Sequence, residues 1–232
     1  QLYTVYPDIY LDTIKPTDSQ FDLFPYQRLF LRALMRYNQI YITATRAASK
    51  SFLSVLGLYL QCVFIPNHKC SIVAPVKTQG VKIMRQKVEE ILKIWPLLEK
   101  ELEVFMGKPH MNFSKDVAEL YFKNGSKFTC EGATDSSRGL RLHSTFLDEV
   151  RDADGDIISE VILPQLNVSR RDANGLVNPY EVCNQQVIAG TSAGMKSSYA
   201  YSLLIETMIQ AIIDPKRAFV MGLDYRIPAQ HG

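Results

Sequence analysis

No apolar run in these 232 residues reaches the roughly 18 residues free of polar groups that a membrane-crossing helix needs, so a spanning segment is not expected. The opening residues, Gln-Leu-Tyr-Thr, do not make a signal peptide, and a start without Met is expected of a fragment of a longer chain. Cysteine is sparse. Cys62, Cys70, Cys130 and Cys183 never fall in C-x-x-C spacing, which argues against a zinc site or a disulfide framework and suits a reducing compartment. An excess of charge is missing too: the formal net charge is +2 and the pI about 8.3, which neither demands nor excludes a polyanionic partner. What is present is 47% hydrophobic and 22% charged residues, enough for one domain with a buried core.

Glycine is also missing from the stretch around which the chain is organised, residues 39–53, QIYITATRAASKSFL. An apolar strand-like run there breaks into a loop of small residues, meets Lys50 and Ser51, and passes at once into a long apolar helical pattern. That layout is a phosphate-binding loop, whose backbone N–H groups approach phosphate oxygens while a lysine reaches the terminal phosphates and a hydroxyl holds Mg²⁺. The helix N-terminus adds free N–H groups and partial positive charge. Against the pattern G-x-x-x-x-G-K-[ST] the chain reads Ala44, Thr45, Arg46, Ala47, Ala48, Ser49, Lys50, Ser51, with both glycines replaced. A serine at position 49 is expected to need negative φ, since positive φ is costly for residues with a Cβ.

Residues 1–23 alternate aromatics with prolines and aspartates and read as an extended arm before a domain over residues 24–232. Pro25 opens a helix, with Gln27 either a solvated residue or an amide able to bond a base edge. Residues 52–64 are apolar all round, as in a core helix, and residues 70–74 form a second strand. Val81, Met84, Val88, Ile91, Leu92 and Trp95 mark an amphipathic helix that Pro96 ends, leaving Lys82, Arg85 and Lys87 on a solvated face. Asn124-Gly125 between residues 118–122 and 128–131 signals a hairpin. The alternation predicts a mostly parallel sheet covered by helices on both faces, with one inserted β-hairpin, and ligands at the carboxyl ends of its strands.

Two further strand tips carry chemistry. Residues 144–147 end in Asp148 and Glu149, adjacent carboxylates that can orient a Mg²⁺ shell and polarise an attacking water. Residues 187–190 lead into Thr191 and Ser192, hydroxyls able to sense a terminal phosphate or its water. Residues 219–223 before Asp224 lack a following glutamate and read as a peripheral strand, and Arg170-Arg171 read as a solvated loop or a contact to a nucleic-acid backbone.

The ordered set Tyr26-Gln27, residues 45–51, residues 137–141, Phe146-Leu147-Asp148-Glu149 and Gly190-Thr191-Ser192 resembles the ATPase domain of the large terminase subunit of tailed bacteriophages, over about residues 24–192. The resemblance implies a RecA-like P-loop NTPase of the additional-strand, catalytic-glutamate type, with ATP and Mg²⁺, pumping double-stranded DNA into a preformed capsid in the host cytoplasm. By position it makes Gln27 the adenine reader, Lys50 and Ser51 the phosphate and Mg²⁺ ligands, and Asp148 the completing metal ligand. Glu149 becomes the general base, Thr191 with Ser192 the coupling motif, Arg46 an arginine finger within the loop, and Arg138 a finger offered to a neighbouring subunit. The portal protein, the small terminase subunit and a homo-oligomeric ring, commonly a pentamer and a monomer in solution, are the implied partners. The nuclease domain that large terminases carry is not expected within these residues, so DNA cutting is not. A helicase-like ATPase and a catalytically silent assembly module are the competing readings.

Overall fold

The computed structural model describes residues 2–45, 48–134, 141–171, 174–178, 181–192 and 194–229. The chain begins with two helices, α1 (Leu2–Val5) and α2 (Pro7–Ile14), followed by α3 (Pro25–Leu34). Over residues 2–14 the expectation of an extended arm is therefore corrected. The reason is burial of charge and apolar surface together: Asp8 is fully buried and takes a two-pronged bond from Arg32 at 2.9 and 2.7 Å, Leu11 is fully buried, and the Trp95 indole donates to the Leu11 carbonyl at 3.1 Å. Pro7 at the first turn of α2 suits a helix start, so aromatic and proline content misreads as extension here.

A central sheet follows from β1 (Gln39–Ala44), β2 (Lys69–Ala74), β5 (Met111–Phe113), β6 (Ala118–Tyr121), β7 (Lys127–Gly132), β8 (Ser144–Asp148), β9 (Gln186–Thr191) and β10 (Ala218–Leu223), with a small separate ribbon of β3 (Val104–Phe105) and β4 (Lys108–Pro109). The order is β10-β1-β9-β8-β2-β7-β6-β5, parallel except where β5 and β6 run antiparallel at one edge. The expected hairpin is the β6–β7 pair, in which Tyr121 faces Lys127 across Asn124-Gly125. The strand read as peripheral, β10, is the opposite edge.

Alternate strand residues point to opposite faces, so Ile40, Ile42, Ile72, Phe146 and Ile188 pack on one side and Tyr41, Val73, Leu147 and Ala189 on the other. The first face is covered by α3, α4 (Lys50–Phe64) and α5 (Lys77–Ile94), the second by α6 (Gly155–Ile157), the helical turns after it and α7 (Tyr199–Ile213), while α8 (Arg226–Ala229) follows β10. Among the described residues no helix is long and apolar enough to cross a membrane.

At the amino ends of the strands, His68 is fully buried, its Nε2 within 3.2 Å of Gln61 Oε1 and 3.1 Å of Ser144 Oγ, and His143 Nδ1 accepts the Lys69 N–H at 3.0 Å. Burial, then the His143 and Arg170 charges, push His68 well below the usual imidazole range, and burial, then Arg170 and Lys69, lower His143 to about 4. Both rings are thus neutral in the fold and bind protons more readily when unfolded. Stability is full above about pH 6.5 and falls as pH drops, by about 1.4 kcal/mol per pH unit for each histidine. Urea unfolding at pH 5.5 should give a free energy about 3 kcal/mol below that at pH 7.5, and an equal pair of values would refute the assignment. Arg170 belongs to this base as well. It makes a two-pronged pair with Glu181 at 2.7 and 2.8 Å and is largely buried, so it is neither a solvated loop residue nor a free cation; Arg171 is exposed.

Candidate active site

Parallel register brings three strand tips to one edge of the sheet. Thr43 of β1 lies opposite Thr191 of β9, and Asp148 of β8 opposite Gly190 of β9, so β9 stands between the strand that precedes Lys50 and the strand that ends in the carboxylate pair. Gly190 permits that approach: a Cβ there would stand 2.6 Å from the Phe146 ring and 3.1 Å from the Lys50 stem.

Lys50, at the first turn of α4 and 8% exposed, places its Nζ 2.9 Å from Glu149 Oε1 and 3.3 Å from Asp148 Oδ1. Ser51 Oγ is 3.5 Å from the same Asp148 oxygen. Ser192 donates to Glu149 from its backbone N–H at 3.1 Å and from its hydroxyl at 3.2 Å, whereas Thr191 turns its hydroxyl to the Ser192 carbonyl at 2.9 Å. Arg151 stands 3.6 Å from Glu149 on the remaining side. Glu149 itself has φ of 45°, a left-handed conformation that costs of order 1–3 kcal/mol for such a residue and persists only where surrounding contacts hold it. Its carboxylate bonds to Lys50 and Ser192 are those contacts.

The two carboxylates are driven apart in acidity. Burial pushes Asp148 above the ordinary carboxyl range despite the Lys50 charge. Burial works in the same sense on Glu149, but the bond and charge of Lys50 and the two bonds from Ser192 outweigh it and hold that carboxyl below its usual range. Neighbouring acids with divergent environments are what distinct roles in one reaction require.

Ser49 overturns the expectation about its backbone. Its φ is 54° and ψ 25°, left-handed, and its side chain makes no capping bond to α4. Position 49 takes a conformation that glycine adopts freely and bears the steric cost of a Cβ. Ser49→Gly is accordingly expected to stabilise the chain by about 0.5–1 kcal/mol, the left-handed penalty less the extra backbone entropy of glycine. A urea midpoint unchanged or lowered would contradict this.

The tips open on a cleft of about 320 Å³ lined by Phe21, Gln27, Thr45, Ser49, Lys50, Ser51, Phe52, Lys87, Glu90, Glu149 and Ser192, among others. Gln27 is not solvated: it is 5% exposed, and its Oε1 accepts the Phe24 N–H at 2.9 Å, the glutamine half of a capping box for α3. Tyr26 and Ala48 are buried beside the cleft. Lys87, expected on a solvated face, lines it together with Glu90, and neither they nor Phe21 and Phe52 stand out in sequence, because no motif marks them. Arg46 and Ala47, and Arg138 of the 137–141 segment, lie outside the described residues. Asp224 pairs with Arg226 after β10.

The donors fit a nucleotide and Mg²⁺. The Thr45 hydroxyl on the cleft is buried with no partner among the described residues, and Ser51 with Asp148 supplies hard oxygen ligands. Among the described residues no group of three or more His, Cys, Asp or Glu could hold a metal alone. Mg²⁺ in nucleotide sites needs no such cage, since one or two protein groups and the substrate phosphates complete its shell.

No family model and no curated protein matches the chain. Solved structures do. The large terminase ATPase domain of Thermus phage P74-26 superposes with a TM-score of 0.61 at 16% identity, covering 94% of this chain and 89% of that one. The large terminase of a second, thermophilic bacteriophage gives 0.59 at 11% identity, covering 91% of this chain and 50% of that one, so the chain spans about half its length. That second terminase has also been solved with ADP and with ATP-gamma-S. The UvsW helicase from bacteriophage T4 gives 0.52 at 11% identity, covering 94% and 66%. With β9 between β1 and β8 and helices on both faces, the chain has a RecA-like P-loop fold, the fold of the phage large terminase ATPase domains.

Proposed function

We propose that the chain is the ATP-hydrolysing motor domain of a viral large terminase, moving double-stranded DNA into a preformed capsid in the host cytoplasm. One observation carries the reading: Lys50, from the helix after one strand, touches Asp148 and Glu149 at the tip of a second, and Glu149 in turn takes a bond from Ser192 at the tip of a third. In this reading Lys50 leaves its carboxylates to neutralise the terminal phosphates of ATP, and Ser51 and Asp148 hold Mg²⁺. The ion, when bound, offsets charge on the β- and γ-phosphate oxygens. Glu149 takes the proton of the attacking water as its oxygen bonds the γ-phosphorus and the bond to the β-phosphate oxygen breaks. Ser192 keeps the Glu149 carboxylate aimed and, with Thr191, relays its state along β9. Arg46 and Arg138 are proposed as the fingers that stabilise the transferring group in the same and in a neighbouring subunit. Double-stranded DNA, the portal protein, the small terminase subunit and a ring of copies are the partners this reading carries.

The test is phosphate release by the chain with ATP and Mg²⁺, with and without duplex DNA. Turnover that requires Mg²⁺ is expected. Turnover no faster than that of both a Lys50→Ala and a Glu149→Ala variant would refute the reading in favour of a silent assembly module. The likeness to a helicase supports a second reading, and unwinding of a forked duplex by the chain alone would favour it.

A further inference from the structure

The cleft extends beyond the residues proposed to hold phosphate. Beyond Lys50 and Ser51 its wall is made by Phe21, Gln27 and Phe52 and by Lys87 and Glu90 of α5. In the nucleotide reading, a triphosphate on Lys50 has this wall as the surface for its sugar and base. Phe21 and Phe52, with ring centroids 6.4 Å apart, supply apolar surface for a base. Gln27 has its Oε1 engaged by the Phe24 N–H and its Nε2 donating to the Tyr26 hydroxyl at 3.5 Å, so what it offers a ligand is its second amide hydrogen. Glu90 is the carboxylate of this end, and Lys87 Nζ holds it at 2.7 Å while standing 6.0 Å from the Phe52 ring. The pair is partly exposed, at 26% for Lys87 and 45% for Glu90, and ion pairs of that kind add little to stability. Its position on the cleft is what calls for an account.

A ribose presents two neighbouring hydroxyl donors, and a carboxylate is the acceptor-only group whose two oxygens can take both. A base, by contrast, mixes donors and acceptors along its edge. We propose that Glu90 accepts the ribose hydroxyls of the bound nucleotide, that Lys87 positions the carboxylate, and that the pair selects ribonucleotides over 2′-deoxyribonucleotides. This rests on the nucleotide reading of the cleft and names its sugar specificity.

Binding of ADP and of 2′-deoxy-ADP in the presence of Mg²⁺, measured by titration calorimetry, tests the assignment without turnover. The parent should bind ADP about tenfold more tightly, the worth of a hydrogen bond to a charged acceptor. Glu90→Ala should bring the ratio close to one by weakening ADP alone, Glu90→Gln should fall between, and Lys87→Met should narrow the ratio. A parent that binds both diphosphates alike, or a Glu90→Ala chain that keeps the parent ratio with an unchanged melting midpoint, overturns the sugar assignment and leaves the nucleotide reading standing. Equal weakening of both ligands in Lys87→Met, with the ratio intact, overturns the positioning role of Lys87. A parent that binds neither overturns this proposal and the proposed function together.

Discussion

Glu149→Gln is expected to slow ATP turnover by about 10²–10⁴-fold while nucleotide still binds, because a general base contributes on that scale and the amide keeps the shape of the carboxylate. The amide cannot take the water proton. Its one oxygen can still accept the Ser192 backbone N–H, one of the bonds that hold residue 149 in its left-handed conformation, so the fold should be retained. Steady-state phosphate release alongside calorimetric binding of ATP separates the two effects. Turnover within a few-fold of the parent would remove Glu149 from the chemistry, and lost binding would make its role one of charge balance for Lys50.

Lys50→Met has the second large effect, and it reaches stability as well as binding. Asp148 is 5% exposed, and Lys50 is the cation beside it. Removing one partner of a buried pair leaves an uncompensated charge, which costs about 3 kcal/mol. Asp148 would then hold its proton at higher pH, since burial already raises it and Lys50 is the leading influence that restrains the rise. The double variant Lys50→Met with Asp148→Asn should regain most of the lost stability and none of the nucleotide affinity. Urea unfolding of the parent, both single variants and the double variant closes the cycle. A single variant as stable as the parent, or a double variant no more stable than Lys50→Met, would show that the pair is not coupled.

Each strand tip that carries chemistry is legible in the sequence because it sits on an unbroken apolar run ending in residues of opposite character: Ala44 before the loop, Leu147 before Asp148-Glu149, Gly190 before Thr191-Ser192. The hairpin at Asn124-Gly125 and the core helix after Ser51 are legible for the same local reasons. The amino-terminal helices are not, since α1 and α2 draw on Asp8, Leu11 and the Trp95 indole, a partner more than eighty residues away. Nor is the left-handed Ser49, whose conformation runs against the preference of its Cβ.

The sequence by itself determined the inventory: a lysine and serine opening a buried helix, a carboxylate pair closing a buried strand, a hydroxyl pair closing another, and the order in which they come. Those follow from hydrophobic runs and turn chemistry, which act over a few residues. Only the tertiary structure decided that β9, late in the chain, slots between β1 and β8, and so brings Ser192 onto Glu149. It alone brought Lys87 from what reads as a solvated face onto the cleft, with Glu90 beside it. Strand order and helix docking are set by which surfaces bury each other across the whole chain, and that long-range complementarity leaves no trace in any one segment.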